Sequence, residues 1–106
     1  MKEGIIQTQI LEYLRLQENM GKLYYTRLNS TGVFDPTRKV FRKASPHQKH
    51  GIPDIMIIKD NEIIFIEVKS DIGKQSEHQK DFQAICINNI IPYHIVRSLD
   101  DVIKIL

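Results

Sequence analysis

Apolar residues recur along this chain with two different periods. Ile6, Ile10, Tyr13 and Leu14, with Leu11 beside them, fall at helical spacing and predict a helix over residues 3–18, stopped by Gly21. "KLYYTRL" (22–28) reads as a strand rich in Tyr and Thr, and "NSTG" after it as a turn. "FDPTRKVFRKASPHQKHG" (34–51) is polar and basic and holds two prolines, which predicts an irregular segment with a short strand near Val40–Arg42. The strongest apolar runs, 53–59 and 62–69, read as strands on either side of "KDNE". If Asp60 and Asn61 form a two-residue hairpin loop, both residue types suit the positive φ it needs. "SEHQ" (76–79) is a capping-box pattern opening a helix whose stripe is Phe82, Ile85 and Cys86. "IIPYHIV" (90–96) is a further strand, with Pro92 near its start, and "SLDDVIKIL" (98–106) a closing helix capped by Ser98.

The predicted order is one helix, three strands, a helix, a strand and a last helix: an α/β fold with a mixed sheet. The strand–helix–strand unit from Ile63 to Arg97 should be a right-handed crossover between parallel strands, while the central hairpin is antiparallel. At 106 residues without repeats or linkers, residues 1–106 are expected to form a single domain.

Charge interrupts both central runs where a buried strand should stay apolar: Asp54 in the first, Glu67 and Lys69 in the second. Side chains alternate faces along a strand, so Glu67 and Lys69 share one, with Ile63 and Phe65. With Asp60–Asn61 as the loop, Lys59 pairs with Glu62 and, counting outward, Asp54 comes opposite Glu67. The two carboxylates would then lie about 5 Å apart at Cβ on one face, a repulsive and poorly solvated arrangement. A divalent cation offsets that cost directly. Carboxylate oxygens without sulfur or clustered imidazoles suit Mg²⁺ or Mn²⁺, which also accept phosphate oxygens. Lys69 is placed to hold or deprotonate an attacking water. The plainer alternative is a Glu67–Lys69 ion pair at one strand end and a solvated Asp54 at another; the trio, taken with the charge distribution, favours function.

The overall composition is ordinary, 42% hydrophobic and 26% charged, and the net charge is only +2. Its distribution is not ordinary. Residues 22–49 carry seven basic side chains and one acidic one, net +6, which leaves −4 for the rest. A basic segment in an otherwise acidic chain suggests a polyanion footprint. A lone cysteine, Cys86, fits a reducing compartment, no apolar run approaches the ~20 residues of a bilayer span, and "MKEGIIQTQ" lacks a signal-peptide core. An intracellular, cytoplasmic protein without a membrane partner is the expectation.

"GIPDIMII…IEVKS" resembles the PD-(D/E)XK nuclease superfamily and, more narrowly, the VRR-NUC (virus-type replication and repair nuclease) family. The further matching elements are "EGIIQTQIL" at the first helix, "SEHQ" at the second, and the ending "VRSLDDVIKIL". Together they span Glu3 to Leu106 in the family's order. The resemblance implies a restriction-endonuclease-like core, αβββαβ, and a metal-dependent nuclease acting on DNA with Mg²⁺ or Mn²⁺ and no organic cofactor. It makes Asp54 and Glu67 metal ligands, with the Val68 carbonyl as a third oxygen and Glu3 as a further candidate. Lys69 positions the water, and Gln79 lies beside the site. Small stand-alone members imply a homodimer suited to branched DNA such as four-way junctions, and the family name suggests a replication, repair or phage setting.

Each carried-over role has a structural rival. Gln79 completes a capping box in any case, and an acidic Glu3 is favoured by the helix dipole. The candidate nucleic-acid contacts are Arg27, Asn29, Arg38, Lys39, Arg42, Lys43, Lys49 and His50. His47 and His50 have no partner pair at zinc spacing and read as exposed loop residues. Tyr24 and Phe41, though interleaved with basic residues, are assigned to the core. Gly51 should permit a tight backbone approach and Pro53 should fix the strand entry. Two rival readings are a nucleic-acid-binding module without catalysis and a small interaction protein using a sheet edge.

Overall fold

The computed structural model describes residues 1–28, 33–42, 47 and 49–106. The elements run α1 (Glu3–Asn19), β1 (Tyr24–Arg27), β2 (Val33–Asp35), β3 (Val40–Arg42), β4 (Ile55–Lys59), β5 (Glu62–Val68), α2 (Glu77–Asn88), β6 (Tyr93–Val96) and α3 (Leu99–Ile105). The main sheet has the order β1-β4-β5-β6, and β2 and β3 form a separate two-stranded ribbon.

Helix α1 stops because Gly21 takes φ +73°, which lets its N–H reach the Glu18 carbonyl and the Lys22 N–H the Gln17 carbonyl. The next chain segment enters β1, antiparallel to β4. The β4–β5 hairpin closes through Asp60 (φ 51°) and Asn61 (φ 67°), two left-handed residues whose twist matches that of the strands they join. Its register follows: Lys59 pairs with Glu62 and Ile55 with Ile66. From β5 the chain crosses over through α2 and returns as β6, parallel to β5. The mixed sheet read from the sequence is therefore present, with the ribbon β2–β3 added.

The two sheet faces divide the work. Ile55, Ile57, Ile64, Ile66, Val68 and Val96 bury one face against Ile6, Ile10 and Leu14 of α1 and Val102 of α3. On the other face α2 covers the β5–β6 side, where the Phe82 ring meets Phe65 edge-on, centroids 5.3 Å apart. Among the described residues no helix is long and apolar enough to cross a membrane.

Two core assignments need correction. Tyr24 is 52% exposed, because strand alternation turns Tyr25, opposite buried Ile57, toward α1 and turns Tyr24 away. In α2 Cys86 is buried but Ile85 is 55% exposed, since the helix rests on the sheet through Phe82 and leaves its flank open. Phe41 lies in β3, and its side chain lies outside the described residues. The two central strands are also shorter than their apolar runs: Pro53 and Asp54 precede β4, and Lys69 follows β5.

Gly51 fixes how the loop before β4 meets α2. It has φ +79°, and a Cβ there would come within 2.4 Å of the His78 carbonyl carbon. Gly51→Ala should therefore destabilise the fold by about 1–3 kcal/mol in urea unfolding. Gly4→Ala, whose Cβ meets nothing within 4 Å, should be neutral or stabilising by up to ~1 kcal/mol. Equal effects of the two substitutions would contradict this view of the loop.

Candidate active site

Asp54 is held by its backbone on both sides. Its N–H donates to the Ile66 carbonyl (3.1 Å), and its carbonyl accepts from the Leu28 N–H (2.8 Å). It thus bridges β1 and β5 just past the end of the paired ladder. Its side chain turns to β5 as well, with Oδ2 accepting from the Val68 N–H at 2.8 Å. Pro53, fully buried, precedes it and sets the chain direction into the strand.

Glu67 is the buried carboxylate of the site, 1% exposed, on the face of β5 that α2 covers. Its Oε1 accepts from Gln79 Nε2 at 2.9 Å and lies 3.8 Å from the Lys69 ammonium. Its Oε2 is buried with no hydrogen-bond partner. The Gln79 amide is oriented by the helix cap: Oε1 accepts from the Ser76 N–H (2.9 Å), so Nε2 has to face Glu67. The Ser76 hydroxyl in turn accepts from the Gln79 N–H, completing the capping box. One side chain thereby starts α2 and grips the carboxylate.

Burial pushes the Glu67 carboxyl up from 4.5 to about 8. The Asp54 charge adds to the rise; Lys69 opposes it and Glu3 contributes a little. The two acids are therefore close enough to interact electrostatically. Glu3, half-buried at the start of α1, is within electrostatic reach.

Tyr93 lies on the same face, because β6 pairs it with Phe65 in parallel register. Its hydroxyl accepts from Gln75 Nε2 at 3.4 Å, and burial pushes the phenol up to about 12. Neither residue was a sequence candidate. The crossover register was the signal that could have found Tyr93, since it places that residue on the Glu67 side of the sheet.

The structure brings Asp54, Glu67, Lys69 and Gln79 together, with Val68 between the acids and Glu3 nearby. Among the described residues no group of three or more His, Cys, Asp or Glu side chains is placed to hold a metal. A cation here would rest on the two carboxylates, backbone oxygen and water, which is how Mg²⁺ is usually held. The orphaned Oε2 beside a second acid fits that demand. Arg27, exposed, ends β1 next to the residue that bonds Asp54. Arg38, Lys39, Lys49 and His50 are exposed, the first two at the tip of the β2–β3 ribbon. Arg42 lies in β3 without a described side chain, and Asn29 and Lys43 lie outside the described residues.

Among known protein families, the VRR-NUC domain model matches residues 3–100. Neither the comparison with curated proteins nor that with solved structures gives a match.

The raised Glu67 value makes stability depend on pH. The folded protein keeps a proton between about pH 4.5 and about 8 that the unfolded chain has lost. The stabilisation is complete below that window and disappears as pH rises through it. Metal-free protein should lose stability over this range, and Glu67→Gln should remove that slope and be more stable at pH 8 by a few kcal/mol. Thermal unfolding against pH in EDTA reads both; parallel curves for the two proteins would rule the idea out.

Proposed function

The chain belongs to the VRR-NUC family, a nuclease-type domain, and from that premise we propose a divalent-metal-dependent endonuclease that hydrolyses phosphodiester bonds in DNA. The observation that carries this reading is the buried Glu67 carboxylate, one oxygen gripped by Gln79 and the other without a partner, beside Asp54. A buried acid beside a half-buried one needs a cation for both to be charged together at low cost.

Asp54 and Glu67 would hold Mg²⁺ or Mn²⁺, with the Val68 carbonyl as a third oxygen and Glu3 acting through water. The ion supplies neutralisation of the charge that develops on the phosphate oxygens. Lys69 is 8% exposed and beside Glu67, so its ammonium is fixed rather than sweeping through solvent. It would hold the attacking water in line with the phosphorus and stabilise the negative charge that develops in the transition state. Gln79 is a positioning residue that keeps Glu67 in one rotamer. The basic residues Arg27, Arg38, Lys39 and Lys49 steer the phosphate backbone toward the acids.

The chain is small for a duplex-binding surface. A homodimer would set two such sites about a two-fold axis, an arrangement that suits branched DNA such as four-way junctions.

Labelled linear, nicked, flapped and four-way-junction DNA should be cut in Mg²⁺ or Mn²⁺ and not in EDTA. Asp54→Asn and Lys69→Ala should each lose about 10²–10⁴-fold in rate, and Gln79→Ala about 10–100-fold. Metal binding near pH 7 should also release a proton, seen as a buffer-dependent heat in calorimetry. Tight, salt-sensitive binding with no cutting of any substrate would leave a binding module instead, and a monomer at working concentration would remove the support for junction preference.

A further inference from the structure

Next to the carboxylate pair, between the loop entering β4 and the outer flank of α2, lies a groove of about 270 Å³. Its floor is Ile52, Phe82 and Ile85; its rim carries Lys49, His50, His78 and Asp81. The proposed chemistry does not use these floor residues, His78 or Asp81. The walls are locked together by Gly51 against the His78 backbone, and the His50 and His78 rings lie 5.5 Å apart at a 33° tilt. The floor is equally fixed, because Phe82 is wedged edge-on against Phe65. Ile85 nevertheless stays 55% exposed, an apolar wall open to solvent under a polar rim.

The lining defines its occupant by chemistry. The floor wants an apolar face, the two imidazoles a ring to stack on, Lys49 a nearby anion, and the Asp81 carboxylate an N–H donor. A nucleobase with its backbone phosphate meets all four demands. An aromatic side chain of a peptide, with its backbone N–H, meets three and leaves the Lys49 ammonium without an anion. The volume lies below the ~300–1,000 Å³ of ordinary ligand pockets, room for one ring system. The groove's lining lies close to the acids along the chain: Ile52 is two residues before Asp54, His78 adjoins Gln79, and Phe82 packs on Phe65, two residues before Glu67.

The geometry points to an unpaired nucleobase as the occupant, from a DNA strand whose neighbouring phosphate lies at Asp54 and Glu67. A base stacked and paired in duplex offers neither its face nor its Watson–Crick edge. The inference rests on the nuclease reading for the identity of the strand. It adds a specificity: an unpaired nucleotide beside the cut bond is preferred over continuous duplex.

The test is the affinity of labelled single-stranded oligonucleotides in Ca²⁺ at low salt, with one abasic position moved along the strand. One abasic position should weaken binding about tenfold, the worth of a stacked base. Ile85→Ala, on an exposed helix flank where folding is not at risk, should weaken the intact strand at least threefold and that abasic strand not at all. His78→Ala should behave in the same way. No sensitivity to any abasic position, equal losses on both strands, or no binding would overturn the groove. Cleavage in Mg²⁺ is scored separately. Abasic-sensitive binding without cutting sinks the nuclease and keeps the groove; cutting without abasic sensitivity does the reverse.

Discussion

A carboxylate buried beside a second carboxylate is the most unfavourable arrangement in this molecule, and the rest of the site is organised around it. Glu67 is desolvated by the same helix that supplies its donor, Gln79. Asp54 cannot move away to relieve the repulsion, because its N–H, carbonyl and carboxylate are each engaged by β1 or β5. Lys69 answers part of the charge from 3.8 Å and leaves one oxygen of Glu67 unanswered. A folded chain holding that tension needs either a proton or a cation to relieve it. Glu67 can thus keep its proton without a cation beside it and give the proton up when one is bound.

The fold can sustain this strain because its two faces are unequal. The α1 face is built mainly of branched aliphatic side chains, and it supplies the hydrophobic stabilisation. The α2 face is only partly covered. That incompleteness leaves Lys49, His50, His78 and Ile85 at the surface within a few residues of the acids. A helix laid fully across the sheet would have made a better core and closed the route to Glu67.

Much of this was legible in the sequence because local rules and the global fold agree. The capping box at Ser76–Gln79, the stop at Gly21, the Asp60–Asn61 turn and the alternation of β5 each follow from a short stretch of residues. The register of the hairpin up to Ile55 and Ile66, which leaves Asp54 just beyond the ladder, followed from the turn alone. What stayed hidden depends on contacts between distant segments. That Gln79 holds Glu67, and does not merely cap a helix, requires knowing where α2 lies against β5. Tyr93 and Gln75 needed the crossover register. Ile85 was assigned to the core by periodicity and Tyr24 as an aromatic of a small chain, but whether such a residue is covered depends on how far a neighbouring helix extends. The β2–β3 ribbon rests on sparse local signals among prolines and basic residues, and only one of its strands was foreseen.

The two-residue turn at the far end of the hairpin carries more than its position suggests. Asp60 is exposed and distant along the strands from any acid of the site, yet it and Asn61 set which residue of β4 faces which residue of β5. Because side chains alternate, a slip of one position would point Val68 toward α2 and drive Glu67 and Lys69 into the aliphatic layer under α1. A single inserted residue at this surface loop would therefore act as an active-site mutation at a distance. It would displace the proposed catalytic set as a block while leaving every one of its residues in the sequence.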